Sequence, residues 1–259
     1  MNDSTILIAD NGPVRTITLN RPERRNALSP EMQLGLIDAM RAAVASGCRV
    51  LVLAGAGDVF CSGLDLSSVQ AMQTKSTEEY RAYTERISRL FRELYELPIP
   101  TIAAVHGAAL GGGTGLAMIC DFALATPAAK FGYTEARIGF LPALVSAYLA
   151  LQVGDKRSRD LLLTARIFDA DEAFRLGLVH EVVAPDSLAS RVQALADVLI
   201  ANSPRSLAAT KRLMAAEHKA WLDAAIAEGL EASEEARQSP DFREGVAAFL
   251  EKRKPVWPA

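Results

Sequence analysis

Cysteine is scarce and unpatterned. Cys48, Cys61 and Cys120 are the only three, an odd number with no CxxC spacing, so neither a disulfide framework nor a zinc-ligand pair is indicated. Histidine is equally sparse, with His106, His180 and His218 alone, which leaves few candidates for a histidine-based triad and no cluster that suggests a metal. No apolar run reaches the roughly 18 residues of a membrane span, and Met1-Asn2-Asp3-Ser4 lacks the basic start and apolar stretch of a secretory leader. Neither sign of charge is in excess: 28 Lys plus Arg stand against 31 Asp plus Glu, which argues against nucleic acid as the main partner. The motifs GxSxG, GxxxxGK[ST], HExxH and GxGxxG are also missing. These absences point to a soluble cytoplasmic protein with no metal, nucleic-acid or membrane partner.

A chain of 259 residues, 50% hydrophobic and 23% charged, can bury one substantial core and carry an appendage. Thr5 to Ala9 and Val14 to Leu19 read as strands joined by the turn Asp10-Asn11-Gly12-Pro13. Ser29 and Pro30 open a helix as N-cap and first residue, with Leu36, Ile37, Met40 and Val44 expected on its buried face. Arg49 to Ala54 is a continuous apolar strand. Glu78 to Leu97 reads as a helix, with Tyr83, Ile87, Leu90 and Leu94 in one stripe, and Pro98 and Pro100 end it. Strand 101–106, helix 113–119 and strand 121–125 continue the alternation of an α/β protein. From about Leu141 onward the pattern is almost entirely helical. Caps stand at Asp169, as a capping box with Glu172, at Ser203-Pro204 and at Ser239-Pro240.

The most informative run is His106-Gly107-Ala108-Ala109-Leu110-Gly111-Gly112-Gly113-Thr114-Gly115, between an apolar strand and an apolar helix. Consecutive glycines bare the backbone N–H groups at a helix N-terminus, where negative charge is favoured, so the turn can hold an anion or an oxygen about to become one. The competing explanation is a packing turn that needs glycine only for close approach. A second glycine turn, Phe60-Cys61-Ser62-Gly63-Leu64-Asp65-Leu66, can aim the Leu64 N–H at a bound group while Asp65 caps a following helix. The candidate acid is Glu135, at the start of a short helix after Phe131-Gly132-Tyr133-Thr134. By itself such a glutamate is as readily solvated or paired with Arg137.

Together these segments resemble the enoyl-CoA hydratase/isomerase, or crotonase, family. The likeness runs through Leu19-Asn20-Arg21-Pro22, Asn26-Ala27-Leu28, Phe60 to Leu66, Gly107 to Asp121, Phe131 to Pro142, Phe168 to Val179 and Phe249 to Lys254. The resemblance implies a crotonase-like ββα spiral core over 1–200 that binds acyl-CoA. It also implies a C-terminal helical region over 201–259 that forms a homotrimer or homohexamer. Coenzyme A is then part of the substrate and no separate cofactor is expected. Transferred by motif, the Leu64 and Gly112 N–H groups form an oxyanion hole for the thioester carbonyl, and Glu135 is the catalytic acid or base.

One position departs from the family pattern: Gly115 stands where two-acid hydratases carry a second glutamate. Hydration divides naturally between two carboxylates, whereas one carboxylate suits moving a proton between C2 and C4. Hydration of a 2-enoyl-CoA comes first by resemblance, with water held by groups such as Thr114, Tyr133 or a backbone carbonyl. The alternatives are Δ3–Δ2-enoyl-CoA isomerisation through a single glutamate and a non-catalytic acyl-CoA-binding accessory subunit. For binding of the substrate and its CoA moiety the resemblance points to Arg24, Arg25, Ala27, Ser62, Leu64, Asp65, Leu66, Gly111, Gly112 and Tyr133. It adds Phe249 and Lys252, three apart on one helix face near a subunit boundary. The segment 66–77, with Leu66, Val69 and Met72, is expected to cover the acyl pocket. Trp221, Leu222, Ile226, Leu230 and Phe249 are expected to form a self-associating surface.

Overall fold

The fold is taken from a computed structural model that describes residues 4–258, apart from the side chains of Leu66 and Met72. The roles expected of those two side chains fall outside the described residues. A hairpin of β1 (Ile6–Asn11) and β2 (Val14–Leu19) opens the chain, followed by α1 (Pro30–Ala45), β3 (Val50–Gly55), α2 (Leu66–Met72) and α3 (Thr77–Tyr95). Next come β4 (Thr101–Val105), β5 (Ala108–Leu110), α4 (Gly112–Ile119), β6 (Phe122–Ala125) and β7 (Lys130–Gly132). A 3-10 turn over Glu135–Ile138 leads to α5 (Ala143–Thr164). β8 (Ile167–Asp169), α6 (Ala170–Arg175), β9 (Glu181–Val182), α7 (Leu188–Ala201), α8 (Pro204–Gln238) and α9 (Pro240–Leu250) complete it.

Two sheets form, a larger one in the order β1-β2-β3-β4-β6-β9 and a smaller one in the order β5-β7-β8. The hairpin pairs antiparallel, and β2 to β9 of the large sheet run parallel. In the unit β4-β5-α4 the chain places one strand in each sheet and then a helix, and β6 and β7 repeat the step between sheets. This is the expected spiral, and it sets the glycine turn between the two sheets.

The continuous apolar run of β3 reflects burial on both faces. Leu51 and Leu53 join the main core with Leu36 and Met40 of α1 and Leu90 of α3. Val50 and Val52 face Val192, Ala196 and Leu199 of α7. Ser29 caps α1 by accepting from the Met32 N–H at 3.2 Å, and Pro30 follows at the first helical position. The buried stripe of α1 closes on Ala43; Val44, in the last turn, is 38% exposed, contrary to expectation. A reciprocal box between Ser76 and Glu79 starts α3.

The region after Leu141 is less uniformly helical than its pattern suggests. β8 and β9, of three and two residues, add edge strands to the small and large sheets, and Gly154 interrupts α5 with a positive φ of 76°. Asp169 caps α6 by accepting from the Glu172 N–H at 2.9 Å. The box is not closed, because the Glu172 carboxylate is taken by Arg166. Ser203 and Ser239 cap α8 and α9 as expected. Lys211 of α8 donates to the Ile99 carbonyl at 3.0 Å and pairs with Asp121, whose Oδ2 also accepts from the Thr101 N–H at 2.7 Å. Leu222 and Ile226 of α8 lie in the chain's own main core, so they are not part of an exposed face; Trp221 and Phe249 are exposed. No described helix is long and apolar enough to cross a membrane.

Candidate active site

The two glycine turns meet. Gly63, at φ +95°, is packed so closely that a Cβ there would stand 2.7 Å from the Leu110 carbonyl oxygen and 3.3 Å from the Gly112 nitrogen. The turn that carries Leu64 thus meets the Gly112 nitrogen, both residues line one cavity, and among the described residues neither N–H donates to a protein acceptor. The glycines of the 107–115 run divide the work. Gly107 and Gly113 answer to packing, since a Cβ would meet the Asp58 oxygen at 2.1 Å and the Cys61 oxygen at 2.2 Å. Gly111 needs its positive φ of 53°, and it leaves room for the Glu135 carboxyl, whose Oε1 would be 3.1 Å from a Cβ at that position. At Gly112 a Cβ would have ordinary 3.8 Å contacts with Leu28, Leu64 and Phe91. Its backbone N–H, opening α4, is therefore the feature left to explain that position's part in the turn.

Glu135 is half-buried and makes no ion pair with Arg137. Its Oε2 is sealed from solvent with no hydrogen-bond partner, and burial pushes the carboxyl up to about 7. It lines an apolar cavity with Leu64, Gly112, Phe91, Val145 and Phe242, and Val69 of α2 forms part of the same wall. A carboxyl poised near neutrality beside two unengaged N–H donors can move a proton while an adjacent oxygen takes on charge.

The place of the second acid is filled by a side chain. A Cβ on Gly115 would lie 2.3 Å from Val145 Cγ1 and 3.6 Å from the Phe91 ring, so α5 packs its valine into the gap that glycine leaves on α4. Of the water-holding groups considered from sequence, the Thr114 hydroxyl is taken up within the protein. Thr114 Oγ1 donates to the Ala109 and Gly132 carbonyls, at 2.6 and 3.0 Å, and accepts from the Gly132 N–H. Tyr133 is buried in the main core and does not line the cavity.

Arg24 and Arg25 are exposed on the turn after β2, where Arg25 is left-handed at φ 52° and its carbonyl accepts from the Ser62 N–H at 3.0 Å. Ala27 is buried and Ser62 half-buried beside them. Asp65 caps α2 by accepting from the Ser67 N–H at 3.1 Å, and its Oδ2 takes Arg21 Nη1 at 2.9 Å. Burial alone would raise the Asp65 carboxyl, but hydrogen bonds from Ser67 and Arg21 hold it below its usual range. This carboxylate is structurally engaged. Phe249 and Lys252 do not share a helix face, because α9 ends at Leu250 and Lys252 is left-handed at φ 54°. From sequence Asn26 stands only in the family likeness and not among the site residues. It is fully buried at φ 53°, and its Nδ2 donates to the Ala56 and Val59 carbonyls at 2.8 and 2.9 Å while Oδ1 accepts from the Arg21 N–H. It locks the Arg24–Ala27 turn to the loop that leads into Gly63. A non-glycine residue of left-handed-tolerant type after two arginines was its only local signal.

The profile described as Enoyl-CoA hydratase/isomerase matches residues 9–259. The chain belongs to the enoyl-CoA hydratase/isomerase family. It is 41% identical to a putative enoyl-CoA hydratase of Thermus thermophilus, over 95% of this chain and 98% of that protein. It is 34% identical to a short-chain-enoyl-CoA hydratase of Clostridium acetobutylicum, over 98% of this chain and 97% of that one. The crystal structure of an enoyl-CoA hydratase/isomerase from Xanthobacter autotrophicus Py2 superposes with a TM-score of 0.89 at 32% identity, covering 99% of both chains. The two-sheet spiral with its C-terminal helices is thus the crotonase fold, as the resemblance implies.

Proposed function

We propose that the protein hydrates a 2-enoyl-CoA to the 3-hydroxyacyl thioester, with Glu135 as the one carboxylate that serves both proton transfers. The observation that carries this reading is the sealed, partnerless Glu135 Oε2 beside the unengaged Leu64 and Gly112 N–H groups. The thioester oxygen accepts from those two N–H groups. Ionised Glu135 takes a proton from water as its oxygen bonds to C3, and the alkene electron pair shifts toward C2 and the thioester oxygen. Protonated Glu135 then gives its proton to C2, the enolate collapses, and the carboxylate is regenerated. Each preorganised donor contributes about 2.7–4 kcal/mol to lowering the barrier. Exposed Arg24 and Arg25 suit the CoA phosphates, and Ala27 and Ser62 flank the path from that turn to the thioester. The naming of relatives as enoyl-CoA hydratases supports the same reaction.

The valine beside Gly115 favours one second reading, Δ3–Δ2-enoyl-CoA isomerisation, since a lone carboxyl can carry a proton between C4 and C2. A panel of trans-2-enoyl-CoAs and a 3-enoyl-CoA, with product analysis, separates the two. 3-Hydroxyacyl-CoA as the faster-formed product supports hydration, and 2-enoyl-CoA from the 3-enoyl substrate without further hydration overturns it. A homotrimer or homohexamer in the cytoplasm is the expected working form, assembled in part through the exposed Trp221 and Leu163 beside the groove between α5 and α8.

A further inference from the structure

The cavity wall contributed by α3 runs from the reacting end to a polar stop. Phe91 lies against Gly112 and Gly115, and the same stripe passes through Ile87 and Thr84 back to Tyr80. At the helical rise per residue the span from Phe91 to Tyr80 is about 16 Å. At its far end the Tyr80 hydroxyl is 2.6 Å from Ser233 Oγ and donates to the Ser233 carbonyl oxygen at 3.1 Å, tying α3 to α8. Tyr80 and Ser233 are only 3% and 4% exposed. Arg237, farther along α8, holds the Tyr80 ring from behind: its guanidinium lies 4.5 Å from the ring centroid, and Nη1 donates to the Lys75 carbonyl at 3.1 Å.

The Tyr80 and Ser233 hydroxyls satisfy each other, and among the described residues the one lining hydroxyl left buried without a partner is that of Tyr83, on the wall rather than at the stop. Between stop and acid the lining includes Ile87, Phe91, Leu144, Val145 and Phe242, which suits an alkyl chain. A chain longer than the cavity has to break the buried Tyr80–Ser233 pair and bring methylenes against a guanidinium. Both steps are opposed by lost hydrogen bonding and desolvation.

We infer that the Tyr80–Ser233 pair is the length stop of the acyl pocket, which admits unbranched alkyl tails of short and medium length and excludes long ones. The inference rests on the acyl-CoA reading above and deepens it to a substrate class. Its test compares kcat/KM for trans-2-butenoyl-, decenoyl- and hexadecenoyl-CoA in the native protein, in Tyr80→Ala and in Tyr80→Phe. The saturated thioesters of the same lengths are titrated by calorimetry in parallel. In the native protein the hexadecenoyl-to-butenoyl ratio is expected to be at least roughly tenfold below unity, the scale on which a filled pocket discriminates. Tyr80→Ala should raise that ratio by roughly tenfold or more. Tyr80→Phe, which loses the hydrogen bonds but keeps the ring, should raise it less, and it carries the test alone if Tyr80→Ala does not fold. Native turnover of hexadecenoyl-CoA equal to that of butenoyl-CoA, or ratios unmoved in folded variants, overturns the stop. Length selection in the binding data without turnover of any thioester upholds the stop and overturns the hydratase reading instead.

Discussion

The packing of Val145 against Gly115 makes a prediction whose sign depends on a neighbour. Alanine is the better helix former by about 1 kcal/mol, and Gly115 lies inside α4, so on propensity alone Gly115→Ala should stabilise. The new Cβ, however, would stand 2.3 Å from Val145 Cγ1, far inside contact distance, and valine has little rotamer freedom with which to withdraw. Overpacking of this kind costs about 1–3 kcal/mol, so Gly115→Ala should destabilise the protein on balance by up to about 2 kcal/mol. For a domain of this size that is a fall in Tm of at most roughly 4–8 °C. Removing the obstructing methyls with Val145→Ala should reverse the sign, and in that background Gly115→Ala should be neutral or stabilising by up to about 1 kcal/mol. Urea or thermal unfolding of the four proteins of the cycle measures the coupling directly. Gly115→Ala with the same effect in both backgrounds would refute the claim that Val145 occupies the second acid's place. The chemical extension is Gly115→Glu combined with Val145→Ala, in which a second carboxylate near Glu135 should raise one pKa of the pair and favour hydration over any isomerase activity.

Three further outcomes follow from the same geometry, and a fourth from the proposed assembly. Because burial places the Glu135 carboxyl at about 7 and the proposed first step needs it ionised, kcat/KM should fall tenfold per pH unit below about 7; a flat profile between pH 5 and 8 would exclude it as the base. The folded-state pKa is raised, so Glu135 costs stability as pH rises from its unfolded value of 4.5 toward 7, and above 7 Glu135→Gln should unfold at a higher temperature than the native protein. Asn26→Ala orphans buried carbonyls and should cost about 1–3 kcal/mol, read by thermal unfolding; an unchanged Tm would show the turn is held otherwise. Light scattering at micromolar concentration should give a trimer or hexamer, and a clean monomer would contradict the assembly.

What the sequence made legible is the chemistry that sits in contiguous segments. Both glycine turns, Glu135 at the head of its 3-10 turn, Asp65 as a cap and the stripe of α3 can each be read from residues a few positions apart, because backbone conformation and helical periodicity are local. What escaped depends on residues distant in the chain. Nothing near Gly115 announces that Val145 fills its gap, and nothing near Thr114 announces that Gly132 engages both sides of its hydroxyl. The strands β8 and β9 are too short to show alternation and exist because sheet edges were available to pair with. Leu222 and Ile226 look like an exposed stripe until α5 and α3 are seen to cover them, and Lys252 looks helical until α9 stops at Leu250.

The central claim is that a single carboxyl, Glu135, performs the proton transfers beside the Leu64 and Gly112 N–H groups. Glu135→Gln keeps the size of the side chain and removes its ionisation, so the variant should fold and bind acyl-CoA by calorimetry as the native protein does. Its rate of trans-2-butenoyl-CoA hydration, followed by loss of the conjugated thioester absorbance, should fall roughly 10²- to 10⁴-fold. Hydration within a few-fold of the native rate by the folded, substrate-binding variant would contradict the account.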